Sequence, residues 1–84
     1  MPLLFDGDAF KGLPKREADR LVKKAEWIWE NREVVTHMLL RRDLHPFLVW
    51  PVGAYRLIYT YDAEFDEMIV DLGSHTRDIY QRAS

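Results

Sequence analysis

The last third of the chain carries the pattern that most constrains its fold. Residues 54–61 are β-branched or aromatic at most positions, and residues 67–72 place apolar side chains at alternate positions. That composition and that alternation are typical of β-strands. An acidic segment, residues 62–66, separates the two runs and is suited to a hairpin connection. We therefore predict an antiparallel strand pair, with Gly73 ending the second strand because glycine is depleted in strands.

Alternation along these strands predicts two faces with different character. One face of the first strand carries Tyr55, Leu57, Tyr59 and Tyr61, and the other carries Arg56, Ile58 and Thr60. The second strand places Met68, Val70 and Leu72 together. The face that carries Arg56 is expected to meet solvent, so functional residues are sought there.

Length and composition set the outer limits. The chain has 84 residues, which predicts a single domain over residues 1–84 that buries about two-thirds of its chain surface. Hydrophobic content of 48% is globular, and the absence of cysteine excludes a disulfide framework and a thiolate metal site. No apolar run approaches about 18 residues and no leader is visible. We therefore expect a soluble, cytoplasmic protein without a membrane span.

Charge is unevenly distributed along the chain. The net charge is −2, but residues 11–56 contain ten basic and six acidic residues, whereas residues 62–84 contain six acidic and two basic ones. Net charge predicts non-specific association better than it predicts a local site, so a basic face is compatible with this total. The acidic block still weakens the case for strong phosphate binding.

The first half of the chain is predicted to contribute one long helix and short strands. Apolar side chains recur with helical spacing over residues 14–31, and Pro14 suits a first turn. The recurring positions are Ala18, Leu21, Val22, Ala25, Ile28 and Trp29. Short strands are expected over residues 3–6 and 47–50, and one helical turn near residues 8–11. Residues 31–45 are expected to form a loop with one turn of helix or a short strand. A helix followed by an antiparallel meander predicts an α+β domain.

Four segments resemble one known family, the RelE/ParE toxin superfamily. Residues 52–59, VGAYRLIY, are similar to that family's VGDYRIIY strand, and residues 73–80, GSHTRDIY, are similar to its terminal GHRRDVY motif. Residues 9–15, AFKGLPK, resemble the entry into its helical hairpin, and residues 40–47, LRRDLHPF, resemble the segment before its second strand. The segments occur in the same order and span nearly the whole chain.

The resemblance implies a fold and a function. The implied fold is an N-terminal helical hairpin packed on a small twisted antiparallel sheet, followed by a short C-terminal helix or tail. The implied function is the toxin of a type II toxin–antitoxin module that cleaves messenger RNA on the ribosome without a metal or cofactor. Its implied partners are the ribosome, messenger RNA and an antitoxin that covers the basic face. The alternatives are a non-enzymatic ParE-like inhibitor of DNA gyrase and a degenerate homologue that only binds an antitoxin.

The resemblance also implies site residues. Cleavage by the ribose 2′-hydroxyl needs a base, positive charge at the phosphorane and an acid for the leaving oxygen. By position, Arg56 is expected to supply the charge, His75 to transfer protons and Tyr80 to position the nucleotide. Residues expected to bind RNA phosphates are Arg41, Arg42, Arg77, Lys23 and Lys24.

Each of these assignments has a structural alternative, and the chain departs from the family pattern. Arg56 is equally suited to a cross-strand pair with a carboxylate such as Asp71, His75 to a loop, and Tyr80 to packing on the sheet. Thr76 stands where the family usually has a basic residue. His37 and His45 fit loops, and no spacing supports a metal site.

Overall fold

In the computed structural model, which describes residues 2–77, one α-helix packs on a five-stranded sheet. The elements are β1 (Leu3–Phe5), α1 (Lys15–Glu30), β2 (Met38–Leu39), a 3₁₀-helix (Arg42–Leu44), β3 (Leu48–Val52), β4 (Tyr55–Asp62) and β5 (Glu67–His75). The spatial order is β1-β5-β4-β3-β2, with β1 parallel to β5 and the other neighbours antiparallel. The predicted α+β class is confirmed.

Helix α1 forms where the apolar spacing predicts it. Its buried side chains are Leu21, Ala25, Ile28 and Trp29, which lie on one face. Pro14 precedes the first turn with φ −58°, a value that its ring favours. At the other end Asn31 donates a side-chain hydrogen bond to the carbonyl of Trp27 at 2.8 Å. The same carbonyl also accepts the backbone N–H of Asn31 at 3.1 Å, so Asn31 holds the last turn of the helix through two bonds.

The core lies between α1 and one face of the two longest strands. The sheet contributes Leu57, Tyr59, Met68 and Val70, all with no exposed surface. Gly73 allows the closest approach between the layers, since a Cβ built there would lie 2.6 Å from Leu21 Cδ1 and 2.7 Å from Phe10 Cδ1. A Cβ at this position of β5 would therefore displace the Leu21 and Phe10 side chains.

Two details of the strand prediction are wrong. β5 continues through Gly73 to His75, because Gly73 pairs with Leu57 inside the ladder. The register also shifts between Ile58 and Tyr59, which pair with Leu72 and Val70 and leave Asp71 as the extra residue of a bulge. A bulge interrupts simple alternation. Leu72 therefore lies on the Ile58 face and not with Val70.

The predicted helical hairpin and purely antiparallel sheet are also wrong in detail. Apart from the two helical residues Thr76 and Arg77, α1 is the one α-helix within residues 2–77, and the segment before it is a series of turns. Gly7, Gly12 with φ +83° and Pro14 fall close together there, and all are poor helix formers. The sheet is mixed because no short turn joins β1 to β5, so nothing forces them to be antiparallel. Residues 78–84, which include most of the predicted C-terminal helix or tail, lie outside the described residues.

A polar network secures the chain that leaves α1. Arg32 pairs with Asp66 through Nε–Oδ1 and Nη2–Oδ2 contacts of 2.6 and 3.0 Å, and its guanidinium stacks on Trp29 at 3.7 Å. His37 Nε2 donates to the Arg32 carbonyl at 2.9 Å. Its Nδ1 then accepts the Tyr59 hydroxyl at 2.8 Å. Burial raises the pKa of Tyr59 to about 12, so this hydroxyl remains a donor at neutral pH.

None of the described helices is both long enough and apolar enough to span a membrane.

Candidate nucleic-acid interface

Arg56 lies one residue inside β4 and folds back over the β3–β4 turn. Its Nη1 donates to the carbonyls of Tyr55 at 3.0 Å and Gly53 at 3.3 Å. Across the ladder Arg56 pairs with Ser74. The alternative of an ion pair with Asp71 is not observed among the described contacts. The guanidinium is held by neutral carbonyls, which leave its positive charge available to an anion.

His75 lies at the last position of β5, one rung of the ladder from Arg56. It pairs with Tyr55, and the two rings meet edge-to-face with centroids 5.4 Å apart. Its Nδ1 accepts the backbone N–H of Arg77 at 3.2 Å. In the neutral ring the proton therefore lies on Nε2. Because adjacent rungs present opposite faces, Arg56 and His75 share one end of the sheet but not one face.

The β3–β4 turn is the point where these elements converge. Gly53 adopts φ +62° there, a conformation that glycine supports without strain. Thr76 donates both its backbone N–H and its hydroxyl to the carbonyl of Ala54, at 2.9 and 2.8 Å. Thr76, which departs from the family pattern, therefore ties the end of β5 to this turn.

Arg20 of α1 also reaches the β3–β4 turn. A Cβ built on Gly53 would lie 3.1 Å from Arg20 Nη2, so the Arg20 guanidinium packs over the turn that Arg56 also contacts. Arg20 is half-exposed and carries an i,i+3 ion pair to Glu17 at 3.0 Å. We call the group Arg20, Arg56, His75 and Arg77 the basic end of the molecule.

The chain resembles known proteins in its three-dimensional structure. No family model and no curated protein matches the chain. A chain of the toxin–antitoxin complex RelBE2 from Mycobacterium tuberculosis is 25% identical, with a TM-score of 0.73 and 87% of each chain covered. The isolated E. coli RelE toxin is 22% identical, with a TM-score of 0.66, 96% of this chain and 92% of that chain covered. This chain has the RelE toxin fold.

A third solved structure agrees. The RelB–RelE complex from Methanococcus jannaschii contains a chain that is 20% identical, with a TM-score of 0.64 and 94% of this chain and 96% of that chain covered. Together these structures confirm the predicted resemblance to RelE/ParE-superfamily toxins.

The other predicted site residues of this RelE-like chain fall in several places. Lys23 and Lys24 border a groove of about 320 Å³ between α1 and β3, which Arg20, Trp27 and Val52 also line. Lys24 Nζ lies 4.7 Å from the centre of the Trp27 ring. This groove is continuous with the basic end through Arg20.

Three further residues were predicted to contact RNA: Arg41, Arg42 and Tyr80. Arg41 is half-buried and pairs with Asp43, with Nε–Oδ1 and Nη2–Oδ2 contacts of 3.0 and 2.8 Å. Arg42 begins the 3₁₀-helix. Tyr80 lies outside the described residues.

Sequence reasoning missed Arg20 as a member of the basic end. Its helical position marks it only as a polar residue of α1, and its contact with the turn depends on how α1 crosses β3 and β4. His37 lies in a loop as predicted, but its two hydrogen bonds, which connect the chain after α1 to the sheet, were not predicted. Within residues 2–77 no group of three or more histidine and acidic side chains is placed to hold a metal.

Proposed function

We propose that the chain is a single-domain cytoplasmic toxin of a type II toxin–antitoxin module, a metal-independent endoribonuclease that cuts messenger RNA on the ribosome. The observation that supports this proposal best is the convergence of Arg20, Arg56 and the end of β5 on one turn of a RelE fold. The acidic side chains Asp62, Glu64, Asp66 and Glu67 lie around the β4–β5 turn, at the opposite end of the same ladder. The net negative charge therefore does not oppose phosphate binding at the basic end.

The proposed reaction is an internal transesterification. The ribose 2′-oxygen forms a bond to the adjacent phosphorus, and the bond from phosphorus to the departing 5′-oxygen breaks. The 2′-hydroxyl loses its proton to a base, and the 5′-oxygen receives a proton from an acid, so the products are a 2′,3′-cyclic phosphate and a 5′-hydroxyl. No oxidant, reductant or metal is needed for this balance.

Two residues of the basic end carry the chemistry in this proposal. Arg56 stabilises the negative charge that develops on the phosphorane, because a guanidinium remains protonated and binds two oxygens. His75 donates the proton that the departing 5′-oxygen receives, from Nε2 of its imidazolium form; protonation of Nδ1 in that form replaces the contact with the Arg77 N–H. An RNA strand that crosses the end of the β4–β5 ladder meets both residues, although they occupy opposite faces. Tyr80 is proposed to position the nucleotide by stacking.

The remaining cations hold the RNA backbone in this proposal. Lys23, Lys24, Arg41, Arg42 and Arg77 are the phosphate-binding set, to which the structure of the turn adds Arg20. Each phosphate contact releases counterions, so binding is expected to weaken steeply with salt.

An antitoxin is the proposed regulator. RelB accompanies RelE in two of the three solved structures described above. We propose that the cognate antitoxin covers the basic end and so competes with RNA.

Induced expression in a bacterial host with primer-extension mapping tests the proposal. The expected result is growth arrest with cuts at defined positions of translated messages, and Arg56→Ala is expected to lower cleavage by about 10²–10³-fold. Arg16→Ala is the matched control, because this exposed arginine of α1 lies outside the basic end.

Two results would contradict the proposal. Growth arrest with intact messages and a DNA-damage response would indicate gyrase inhibition, and the absence of toxicity would indicate a homologue that only binds an antitoxin.

A further inference from the structure

A second cavity adjoins the basic end. It has a volume of about 340 Å³ and lies between residues 11–14, which precede α1, and the last residues of β5, with Tyr55 as a further wall. We call it the β5-edge cavity. It is separate from the groove of Lys23 and Lys24, and its volume falls in the range of small-ligand sites. His75 lines it and Arg56 does not.

The walls of the β5-edge cavity combine a cation with aromatic rings. Lys11 lines it, is exposed, and makes no salt bridge with any residue between positions 2 and 77. Tyr55 and His75 line it as an edge-to-face pair and are both half-buried. A lysine ammonium binds phosphate as a point charge, and aromatic rings stack on bases of single-stranded RNA.

The cavity also borders the edge of β5 beyond its pairing with β1. β1 pairs with β5 only as far as Val70, and the next outward N–H, that of Gly73, donates to the Ala9 carbonyl at 2.9 Å. The N–H of Thr76 faces β4 instead, since it donates to Ala54. Alternation along β5 therefore directs the backbone N–H and carbonyl of His75 outward, toward residues 11–14. A donor and an acceptor side by side match the hydrogen-bonding edge of a nucleobase.

We propose that the β5-edge cavity binds one nucleotide of a single-stranded RNA, next to the phosphate that Arg56 contacts. The base stacks within the walls formed by Tyr55 and His75, and the phosphate binds Lys11. His75 lies at the boundary, one rung from Arg56, so neighbouring nucleotides of one strand reach both faces of the sheet end. This inference rests on the proposed function for its substrate but concerns a different set of contacts.

A nucleotide fits these walls better than a peptide strand does. Peptide addition to a sheet uses a run of alternating backbone groups, whereas here Ala9 already occupies the edge at Gly73 and leaves a single outward pair, at His75. The cavity instead offers Lys11 for the phosphate of a nucleotide, two aromatic rings for the face of its base, and one backbone donor–acceptor pair for the edge of the base.

The test is a titration of the isolated full chain with adenosine 5′-monophosphate, followed by ¹H–¹⁵N NMR. Saturable shifts are expected at Gly12 and His75, and adenosine or inorganic phosphate alone is expected to bind more weakly. Lys11→Ala should weaken nucleotide binding about three- to tenfold and leave adenosine binding unchanged. Tyr55→Leu should weaken both ligands, and Arg16→Ala should weaken neither.

Several outcomes would overturn the inference. These are the absence of saturable shifts at millimolar nucleotide, shifts confined to the groove of Lys23 and Lys24, full nucleotide binding by Lys11→Ala, and shifts at His75 produced by an extended peptide but not by the nucleotide. The spectrum of each variant also shows whether it is folded.

The inference and the proposed function fail separately. Nucleotide binding by a chain that does not cut messages would support the cavity and contradict the nuclease. If instead the chain cuts messages but binds no nucleotide, and Lys11→Ala leaves cleavage unchanged, the result would support the nuclease and contradict the cavity.

Discussion

The two ends of the β4–β5 ladder use polar side chains in opposite ways. Toward the end formed by the β4–β5 turn, which we call the acidic end, Arg32 pairs with Asp66 and His37 bonds to both Tyr59 and a carbonyl. At the basic end, Arg56 donates to two backbone carbonyls, and two cavities open beside the turn. Polar groups that satisfy one another fix the fold, whereas charge that is left unneutralised can bind a ligand.

The difference also explains why charge totals mislead for this chain. The acidic turn accounts for much of the negative balance of residues 62–84. Strand β4 separates this turn from Arg56, a distance of about 20 Å at the usual rise per residue. Interactions between exposed charges over such a distance are largely screened at physiological salt. The two ends therefore act as separate electrostatic regions.

The largest expected change in the free energy of unfolding comes from replacing a tyrosine of β4 by alanine, either in the core or near the basic end. Tyr59→Ala removes a fully buried ring and the hydroxyl partner of His37. It should lower the free energy of unfolding by about 3–5 kcal/mol. Tyr55→Ala, at the half-buried position, should cost about 1 kcal/mol. Urea denaturation followed by circular dichroism measures both values.

If both variants lose the same free energy of unfolding, the two positions are equally packed, which would contradict the difference between the two ends. If Tyr59→Ala does not fold, Tyr59→Phe provides the measurement, with an expected loss of about 1 kcal/mol from the hydrogen bond to His37.

The second expected effect is a loss of stability from replacing Gly73, which lies in close contact with Leu21 and Phe10 near the basic end. Gly73→Ala places a Cβ within 2.7 Å of both Leu21 and Phe10, so these side chains must shift. The expected cost is about 1–3 kcal/mol. Gly7→Ala is the matched control, because a Cβ there meets nothing within 4 Å. It should be neutral or stabilising by less than about 1 kcal/mol. Thermal denaturation of both variants distinguishes packing at Gly73 from a general effect of glycine replacement.

The sequence predicted the elements of this fold better than the relations between them. Periodicity placed α1 and both long strands within a few residues, because apolar spacing reports directly on burial. It did not predict the bulge at Asp71, which depends on cross-strand register, and so it placed Leu72 on the wrong face. It also gave no sign that β1 pairs in parallel with β5, a contact between distant parts of the chain.

The candidate site shows the same limit. Resemblance selected Arg56 and His75 by position, but alternation along two paired strands puts them on opposite faces. The role of Arg20 depends on a tertiary contact with Gly53 and leaves no local pattern. Residue type and spacing thus predict candidate basic residues, and tertiary packing determines which of them lie close together.

The smallest expected effect is a pair of opposite pH dependences. Burial, with a contribution from Asp6, raises the pKa of Asp71, whereas the hydrogen bond from Arg32 lowers the pKa of Asp66. A carboxyl with a raised pKa binds protons more tightly when folded, so Asp71 makes stability fall as pH rises above its ordinary value of about 4. Asp66 contributes stability above that value and loses it as pH falls.

Asp71→Asn and Asp66→Asn should therefore change the pH profile of stability in opposite directions. Asp71 Oδ2 is buried and has no hydrogen-bond partner among residues 2–77, and an amide there removes a charge beside Asp6. Asp71→Asn should stabilise the fold at pH 7 by about 0.5 kcal/mol after solvent screening, with no gain below about pH 4. Asp66→Asn should lower stability at pH 7 and remove the loss on acidification. Urea midpoints across this range measure both, and profiles that shift in the same direction would show that these carboxylates do not have the opposite environments that their contacts indicate.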